Sequence, residues 1–488
     1  MEQRTFTQAF YTLLFAVCLL AVYPVLHANI PYLQNNFRSY TVFGYGGATP
    51  AADTTAMVDT LALAAPDTID LQPVIEEDTI PIPPPTVFDN AANLRSFFER
   101  LAEKRGQVRI AYFGDSSIEG DLISQTVRDS LQKRFGGAGV GYMPIYSQVA
   151  GFRQSVRHKI GGEWESLRFG KKNPYAIARN ITGEFFLARQ PKIEEDTLGV
   201  DSTIVAVIDT TAEEIETHWV QYGAVRLFPG LKTIPKARLF YGRPARDSLL
   251  PASDQQPFVQ VTVGENTTQF ELDKRKHLNQ LWLTTEPCKK VRLDFELPEN
   301  LPLYGVSLES DQGIIVDNFS ARGNSGAMLT HVSGGMMVQF DSLLNYDLVI
   351  MQYGLNVINK DMEDYSWYRA EMRRVIRHIK RHMPKAAILL VGPTDKAIKV
   401  EGEMMTDPGT PRVNEALRRV AARENVSFFS FYEAMGGEGS MIEWVEEKEP
   451  RWANLDYTHF NFRGAHQAGK LLLAYLMNAY EEYTNAPQ

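Results

Sequence analysis

Two stretches of this 488-residue chain alternate short apolar runs with segments of helical period, and the long stretch between them alternates at strand period alone. That arrangement restricts the fold more than any single motif does. Parallel strands must be joined by crossovers of a dozen or more residues, usually helices, whereas closely spaced strands without helices pair antiparallel. The first stretch predicts a helix near Asn93 to Lys104, a strand near Val108 to Phe113 and a helix from about Ser117 to Phe135. The second predicts strands at "GIIVDNFS" (313–320), "YDLVIMQYG", "AAILLVGP" and "VSFFSF", with helices at Tyr365 to Met383, Arg412 to Glu424 and Phe462 to Tyr483. Together they predict an α/β fold with a three-layer parallel sheet. The region between carries "STIVAVID", "THWVQYG", "ARLFYG", "FVQVTV", "TQFELD", "QLWLTT" and "VRLDFELP". These predict an antiparallel β-sandwich inserted after the first strand and helix.

The amino-terminal end departs from this globular pattern. No Asp, Glu, Lys or Arg occurs between Arg4 and Arg38, and Phe10 to Leu26 is almost wholly apolar. With its flanks this run approaches the roughly 20 residues that a membrane-spanning helix needs. A cleaved signal peptide has a similar shape, but "VLHAN" is a poor cleavage site, so the reading is an uncleaved signal anchor over 1–28. Arg4 precedes the run and no Lys or Arg follows from Ser39 to Leu94, which predicts that the body of the protein lies outside the cytoplasm. Residues 29–89, rich in Pro, Thr and Asp and including "PIPPP", read as a disordered tether. The predicted order is then a first α/β part (90–146), the inserted sandwich (147–311) and a second α/β part (312–488).

Charge and cysteine content exclude some partners. A formal charge of -9 argues against nucleic acid, which binds by counterion release to a basic surface, and against an anionic polymer as a bulk ligand. Two cysteines, Cys18 and Cys288, allow no disulfide framework, so the fold rests on its core.

In an open α/β sheet ligands bind beyond the carboxyl ends of the strands. The residues at those positions are Gly114, Asp115, Ser116 and Ser117 after the first strand, and Gly323 and Asn324 in "NFSARGNSG" after the second. Gly354 and Asn356 in "YGLN" follow the third strand, and Asp456 and His459 in "DYTHFNFRG" precede the last helix. A serine hydroxyl needs a base within hydrogen-bond reach, and an imidazole needs a carboxylate to fix its tautomer. The i, i+3 spacing of Asp456 and His459 suits one turn that points both at the same spot.

These blocks, "GDSS", "NFSARG", "GLN" and "DYTH", resemble in type and order those of the SGNH, or GDSL-type, hydrolase superfamily. The resemblance implies a flavodoxin-like three-layer fold, Ser116 as nucleophile, and Asp456 and His459 completing a catalytic triad. It also implies an oxyanion hole built from the backbone N–H of Ser116 and of Gly323 and from the Asn356 side-chain amide. Block three departs from the family, which usually has Asp where Val357 stands. Ser116 is expected at a helix N-terminus, which stabilises negative charge, with Ser117 inside that helix and Asp115 ordering the turn. Gly326 competes with Gly323, and His466 with His459, although His466 falls inside the last helix and lacks an Asp three residues before it. His378 and His382 have the spacing of helical metal ligands, but "RRVIRHIKRHM" reads as a solvated basic face. No metal and no cofactor is expected.

A sandwich inserted between blocks one and two is similar to that of peptidoglycan O-acetylesterases, in which the insert resembles a carbohydrate-binding module; "RFGGAGVGYMP" (134–144) is similar to their glycine-rich stretch. The implied activity is a carboxylic ester hydrolase that removes acetyl groups from envelope carbohydrate, peptidoglycan foremost, through an acetyl-serine intermediate. The implied location is the cytoplasmic membrane with the catalytic part in the periplasm, or secretion if the signal is cleaved. An O-acetyltransferase acting on an envelope glycan, and a non-catalytic wall-binding protein, remain alternatives. Trp164, Trp219, Tyr222, Tyr241 and Trp282 of the insert could stack on sugars, yet aromatics at alternating positions are more often core.

Overall fold

The long apolar runs form a sheet buried on both faces. Its order is Phe88–Asp89, Ser427–Phe429, Ala387–Val391, Tyr346–Gln352, Gln107–Gly114 and Gly313–Ser320. Every pairing is parallel except that of the two-residue strand Phe88–Asp89. Strands covered on both sides read as continuous apolar runs rather than as alternation, as Tyr346–Gln352 does. In chain order the five parallel strands lie 2-1-3-4-5, so the direction of winding reverses between Gln107–Gly114 and Tyr346–Gln352. The structure, a computed structural model, describes residues 87–189, 217–244, 256–298 and 301–486. The apolar run 10–26, Cys18, residues 29–86 of the tether and "STIVAVID" (202–209) lie outside the described residues, whereas Phe88–Asp89, assigned from sequence to the tether, is ordered by pairing with Phe428 and Phe429. Among the described residues no helix is long and apolar enough to cross a membrane.

Helices cover both faces. Arg95–Glu103, Leu122–Phe135 and Phe462–Asn485 share one apolar cluster with the sheet, and Gly334–Leu344, Ser366–His382 and Gly409–Glu424 share another. Gly334–Leu344 has no counterpart in the sequence reading, because its first turn opens on two glycines. The Ser333 hydroxyl caps it by accepting the N–H of Met336 at 3.2 Å. Phe431, read from sequence as strand, instead begins the short helix Phe431–Met435.

The intervening region forms two antiparallel sheets, one of five strands running from Asn266–Glu271 to Arg157–Gly161 and one of six centred on Ala237–Tyr241 and Leu303–Leu308. Val220, Val259 and Leu293 of the first share an apolar cluster with Leu239, Leu303 and Val306 of the second. Gly141–Met143, assigned from sequence to the first α/β part, pairs with Val306–Leu308, so the second sheet takes in residues before 147. Trp164, Tyr222 and Tyr241 are core residues, whereas Trp219 lies under the Arg292 guanidinium and Trp282 under that of Arg238.

This region is joined to the parallel sheet by apolar contact and by charge. Phe240 and Tyr304 pack on Phe340 of the Gly334–Leu344 helix. Arg109, fully buried in the first parallel strand, donates to Asp317 at 2.7 Å, to Glu309 at 2.6 Å and to Ser307 at 2.8 Å. Of the glycine-rich stretch 134–144, Gly137 packs against Gly313 and Ile314 at the amino end of the second strand. At Gly137 (φ +108°) a Cβ would sit 2.4 Å from the Ile314 nitrogen, so its role is close packing against the second strand.

Candidate active site

Asp115 follows the first parallel strand, and the chain then turns sharply. Its Oδ1 accepts the N–H of Ser117 at 2.9 Å, which fixes the turn that presents Ser116. The continuous helix expected from Ser117 is broken here. Ser116–Asp121 is a 3-10 segment interrupted at Glu119 and Gly120, and the α-helix starts only at Leu122. Gly120 (φ +65°) admits the break because the Phe152 ring lies where its Cβ would be. Asp121 (φ +71°) is held in its unusual conformation by Arg128, which donates to both carboxylate oxygens at 2.6 and 2.9 Å. Ser116 therefore does not sit at the N-terminus of a long helix, and the expected contribution of a helix dipole to anion stabilisation falls away.

Far along the chain, a turn at 454–460 brings back the other polar side chains. The Asn454 N–H donates to the His459 carbonyl at 2.9 Å, and Tyr457 takes a positive φ of 50° at its tip. The Asp456 Oδ1 accepts the N–H of both Thr458 and His459 at 3.0 Å, while Oδ2 is 2.8 Å from His459 Nδ1. Burial pushes the Asp456 carboxyl up, but the His459 and Thr458 hydrogen bonds outweigh it and hold the carboxyl below the usual carboxylate range. On the other side of the ring, His459 Nε2 is 3.0 Å from the Ser116 hydroxyl. Ser116, His459 and Asp456 thus form one hydrogen-bonded chain.

Gly323 and Asn356 line the same cavity of about 620 Å³ as these three residues. Gly323 has φ +75° with open space around its Cβ position, and among the described residues its N–H has no acceptor. The Gly326 N–H, by contrast, donates to Asn324 Oδ1 at 2.8 Å and is taken. The Asn356 Nδ2 donates to Asp115 Oδ2 at 2.9 Å and to the Asn324 carbonyl at 3.1 Å, so both of its protons are engaged. To meet an oxyanion this amide would have to release one of them, and the longer bond to Asn324 is the one that can go.

The remaining histidines are occupied elsewhere. His466 Nδ1 is 3.0 Å from the Thr126 hydroxyl on the helical face. His378 is not simply on a solvated face, since its Nε2 lies 2.9 Å from the Val332 carbonyl, and His382 Nδ1 lies 2.9 Å from the His378 carbonyl. Among the described residues no group of His, Cys, Asp and Glu could hold a metal ion.

The sequence reading missed the outer wall of the cavity. Phe152, half exposed, stacks on Phe462 at 4.7 Å, and Arg322 donates to Glu119 at 2.9 Å across the mouth. Neither pair has a sequence signal, because each joins segments hundreds of residues apart. His459 and Asp456 keep 40% and 50% of their side-chain surface exposed, so the cavity is open to water.

Residues 300–466 match the GDSL-like Lipase/Acylhydrolase family, a span that takes in Gly323, Asn356, Asp456 and His459. The match begins beyond Ser116, which the pairing of Gly313–Ser320 with Gln107–Gly114 brings to it. A solved structure of a peptidoglycan O-acetylesterase shares the fold, with a TM-score of 0.60 and 20% identity over 81% of this chain and 100% of its own. A lipase/acylhydrolase from Enterococcus faecalis aligns at 16% identity over 34% of this chain and 77% of its own, with a TM-score of 0.25. A family two carbohydrate esterase from Clostridium thermocellum aligns at 12% identity over 54% and 92%, also with a TM-score of 0.25. Comparison with curated protein sequences found no match.

Proposed function

We propose that this chain, which carries a GDSL-like lipase/acylhydrolase domain, is a serine esterase that removes O-acetyl groups from cell-envelope carbohydrate, peptidoglycan in the first place. The observation that carries the reading is the unbroken path from Asp456 through His459 to the Ser116 hydroxyl, 2.8 and 3.0 Å long, at the floor of an open cavity. The likeness of fold to a peptidoglycan O-acetylesterase supports the choice of substrate.

In this mechanism the Ser116 oxygen attacks the acetyl carbonyl carbon while His459 Nε2 takes the hydroxyl proton. Asp456 holds Nδ1 protonated and stabilises the imidazolium that forms. The oxyanion is met by the N–H groups of Ser116 and Gly323 and by the Asn356 amide. Collapse breaks the bond to the sugar oxygen, which leaves with the proton from His459. A water molecule, deprotonated by the same imidazole, then attacks the acetyl-Ser116 carbonyl and releases acetate. Transfer of the acetyl group to a second glycan would need water kept out, and the exposure of His459 and Asp456 favours hydrolysis. The two antiparallel sheets are read as a sandwich inserted in the hydrolase domain that holds carbohydrate near this cavity. The amino-terminal apolar run is read as an anchor that keeps the enzyme in the periplasm.

The test is acetate release from O-acetylated peptidoglycan and from acetylated xylan by the full chain and by Ser116→Ala. Release from peptidoglycan that Ser116→Ala abolishes is expected. Equal hydrolysis of aryl acetates by both proteins would overturn the serine mechanism.

A further inference from the structure

A second cavity, of about 100 Å³, adjoins the catalytic one at the carboxyl end of Gly313–Ser320, and Glu119, Gln148 and Val149 border both. Its walls come from both parts of the molecule: Asn318 belongs to the parallel sheet, and Arg168, Lys171 and Glu184 belong to the antiparallel region. Its polar groups are incompletely matched. Arg153 keeps only 7% of its side-chain surface exposed, yet its nearest carboxylate oxygen, on Asp121, is 3.9 Å away. That carboxylate is already spanned by Arg128 and bonded by Ser124. The hydrogen bond Arg153 does make runs to the Met143 sulfur at 3.3 Å, a weak acceptor. Burial, with Arg128 nearby, lowers the affinity of this guanidinium for its proton despite Asp121, the mark of an under-compensated cation.

Further groups point the same way. Arg168 stands opposite Glu184 across paired strands, and the two make no ion pair among the described residues. Lys171 donates to the Ser166 carbonyl at 3.3 Å. The opposing charges are weak: Glu119 is paired with Arg322, and burial pushes the Glu184 carboxyl up to about 7, against Thr182 and Arg168.

We propose that this cavity is a carboxylate-binding subsite, with Arg153 at its base and Arg168 and Lys171 at its mouth. The esterase substrate is then a glycan that carries a carboxyl group on or beside the acetylated sugar. The link to substrate choice rests on the esterase reading, whereas binding of a carboxylate does not. A net negative chain holding a local cationic cavity selects an acidic substituent without attracting polyanions in bulk.

The test is calorimetric titration of the full chain carrying Ser116→Ala with a soluble, de-O-acetylated peptidoglycan fragment, and with the same fragment after its carboxyl groups are amidated. Loss of a charged hydrogen bond corresponds to roughly a 10- to 100-fold change in Kd. Amidation, Arg153→Met, and the exposed pair Arg168→Gln with Lys171→Gln should each weaken binding by about that factor. Because the double variant alters exposed positions, it carries the test if Arg153→Met fails to fold. Equal binding of free-acid and amidated fragments, unchanged binding in the variants, or no binding of the free acid would overturn the subsite. An intact subsite in a wild-type chain that releases no acetate would overturn the esterase reading alone.

Discussion

Asp115 Oδ2 accepts the Asn356 side-chain N–H at 2.9 Å, a bond that ties the loop after the first parallel strand to the loop after the third, where the winding of the sheet reverses. The same carboxylate holds the Ser117 N–H through Oδ1. One buried acid thus sets the distance between the Ser116 hydroxyl and a proposed oxyanion donor. Burial raises its pKa, against the pull of the Ser117 bonds and the His459 imidazole.

Asp115→Asn places an amide N–H against either the Ser117 N–H or the Asn356 amide, since only one oxygen remains to accept. The expected outcome is a fall of about 10- to 100-fold in kcat for aryl acetate hydrolysis, with a stability loss of about 1–3 kcal/mol. Steady-state kinetics and urea titration check the two effects, and full activity would show that Asp115 does not position Asn356.

Gly323→Ala separates geometry from stability. A Cβ there meets no atom within 4 Å, but φ of +75° costs a non-glycine residue roughly 1–2 kcal/mol. The backbone is expected to relax and carry its N–H away from the oxyanion position, lowering kcat by on the order of 10²-fold or more. Wild-type kcat in Gly323→Ala would remove this N–H from the mechanism.

Much of this site is legible in the sequence. Ser116, Gly323, Asn356, Asp456 and His459 all stand just past apolar runs or before the last helix, and a parallel sheet has to gather such positions at one rim. The resemblance to GDSL-type hydrolases holds in the match over residues 300–466. The break at Gly120 was not legible, because helical period continues through "SSIEGDLIS" and only the Phe152 ring from a distant loop, together with the Arg128 bond to Asp121, forces the chain to turn. Arg153 was equally hidden. Its burial beside a saturated Asp121 is a matter of three segments meeting, and one basic residue among fifty carries no pattern.

Asp456→Asn tests the orientation of His459. An amide at this position turns an N–H toward Nδ1 and favours the tautomer that leaves Nε2 protonated and unable to accept from Ser116. A loss of about 10²- to 10⁴-fold in kcat at pH 7 is expected, the lower part of that range suiting a half-exposed carboxylate. A pH–rate profile checks it, since Asp456→Asn should be slower than wild type at every pH, and a wild-type rate at any pH would show that Asp456 does not orient His459.

Glu184 gives stability a pH dependence. An unfolded glutamate titrates near 4.3, and the folded carboxyl is pushed up to about 7 by burial. The folded state therefore holds the proton more tightly, and stability is greatest below the unfolded pKa and declines as pH rises through about 7. Glu184→Gln lacks this decline. Its Tm should exceed that of wild type by about 2–4 °C at pH 8 and match it near pH 4. A Tm difference independent of pH would mean that Glu184 is not strained by ionisation.

Arg109 is the charge that joins the two parts of the molecule, and its loss should be felt through its partners. In Arg109→Met, Asp317 keeps only the Tyr346 hydroxyl at 2.7 Å and the Tyr142 N–H at 2.7 Å, and Glu309 keeps Arg238 and Ser307. An uncompensated buried carboxylate typically costs 3–5 kcal/mol, more than the intact pair contributes over an apolar replacement. Arg109→Met should therefore be destabilised by about that amount, and adding Asp317→Asn should recover part of it because the buried charge is gone. Urea unfolding of the four proteins of this cycle measures the coupling. If the two losses simply add, Arg109 and Asp317 are not coupled across the first two parallel strands, and the pairing of Gln107–Gly114 with Gly313–Ser320 does not depend on this buried charge.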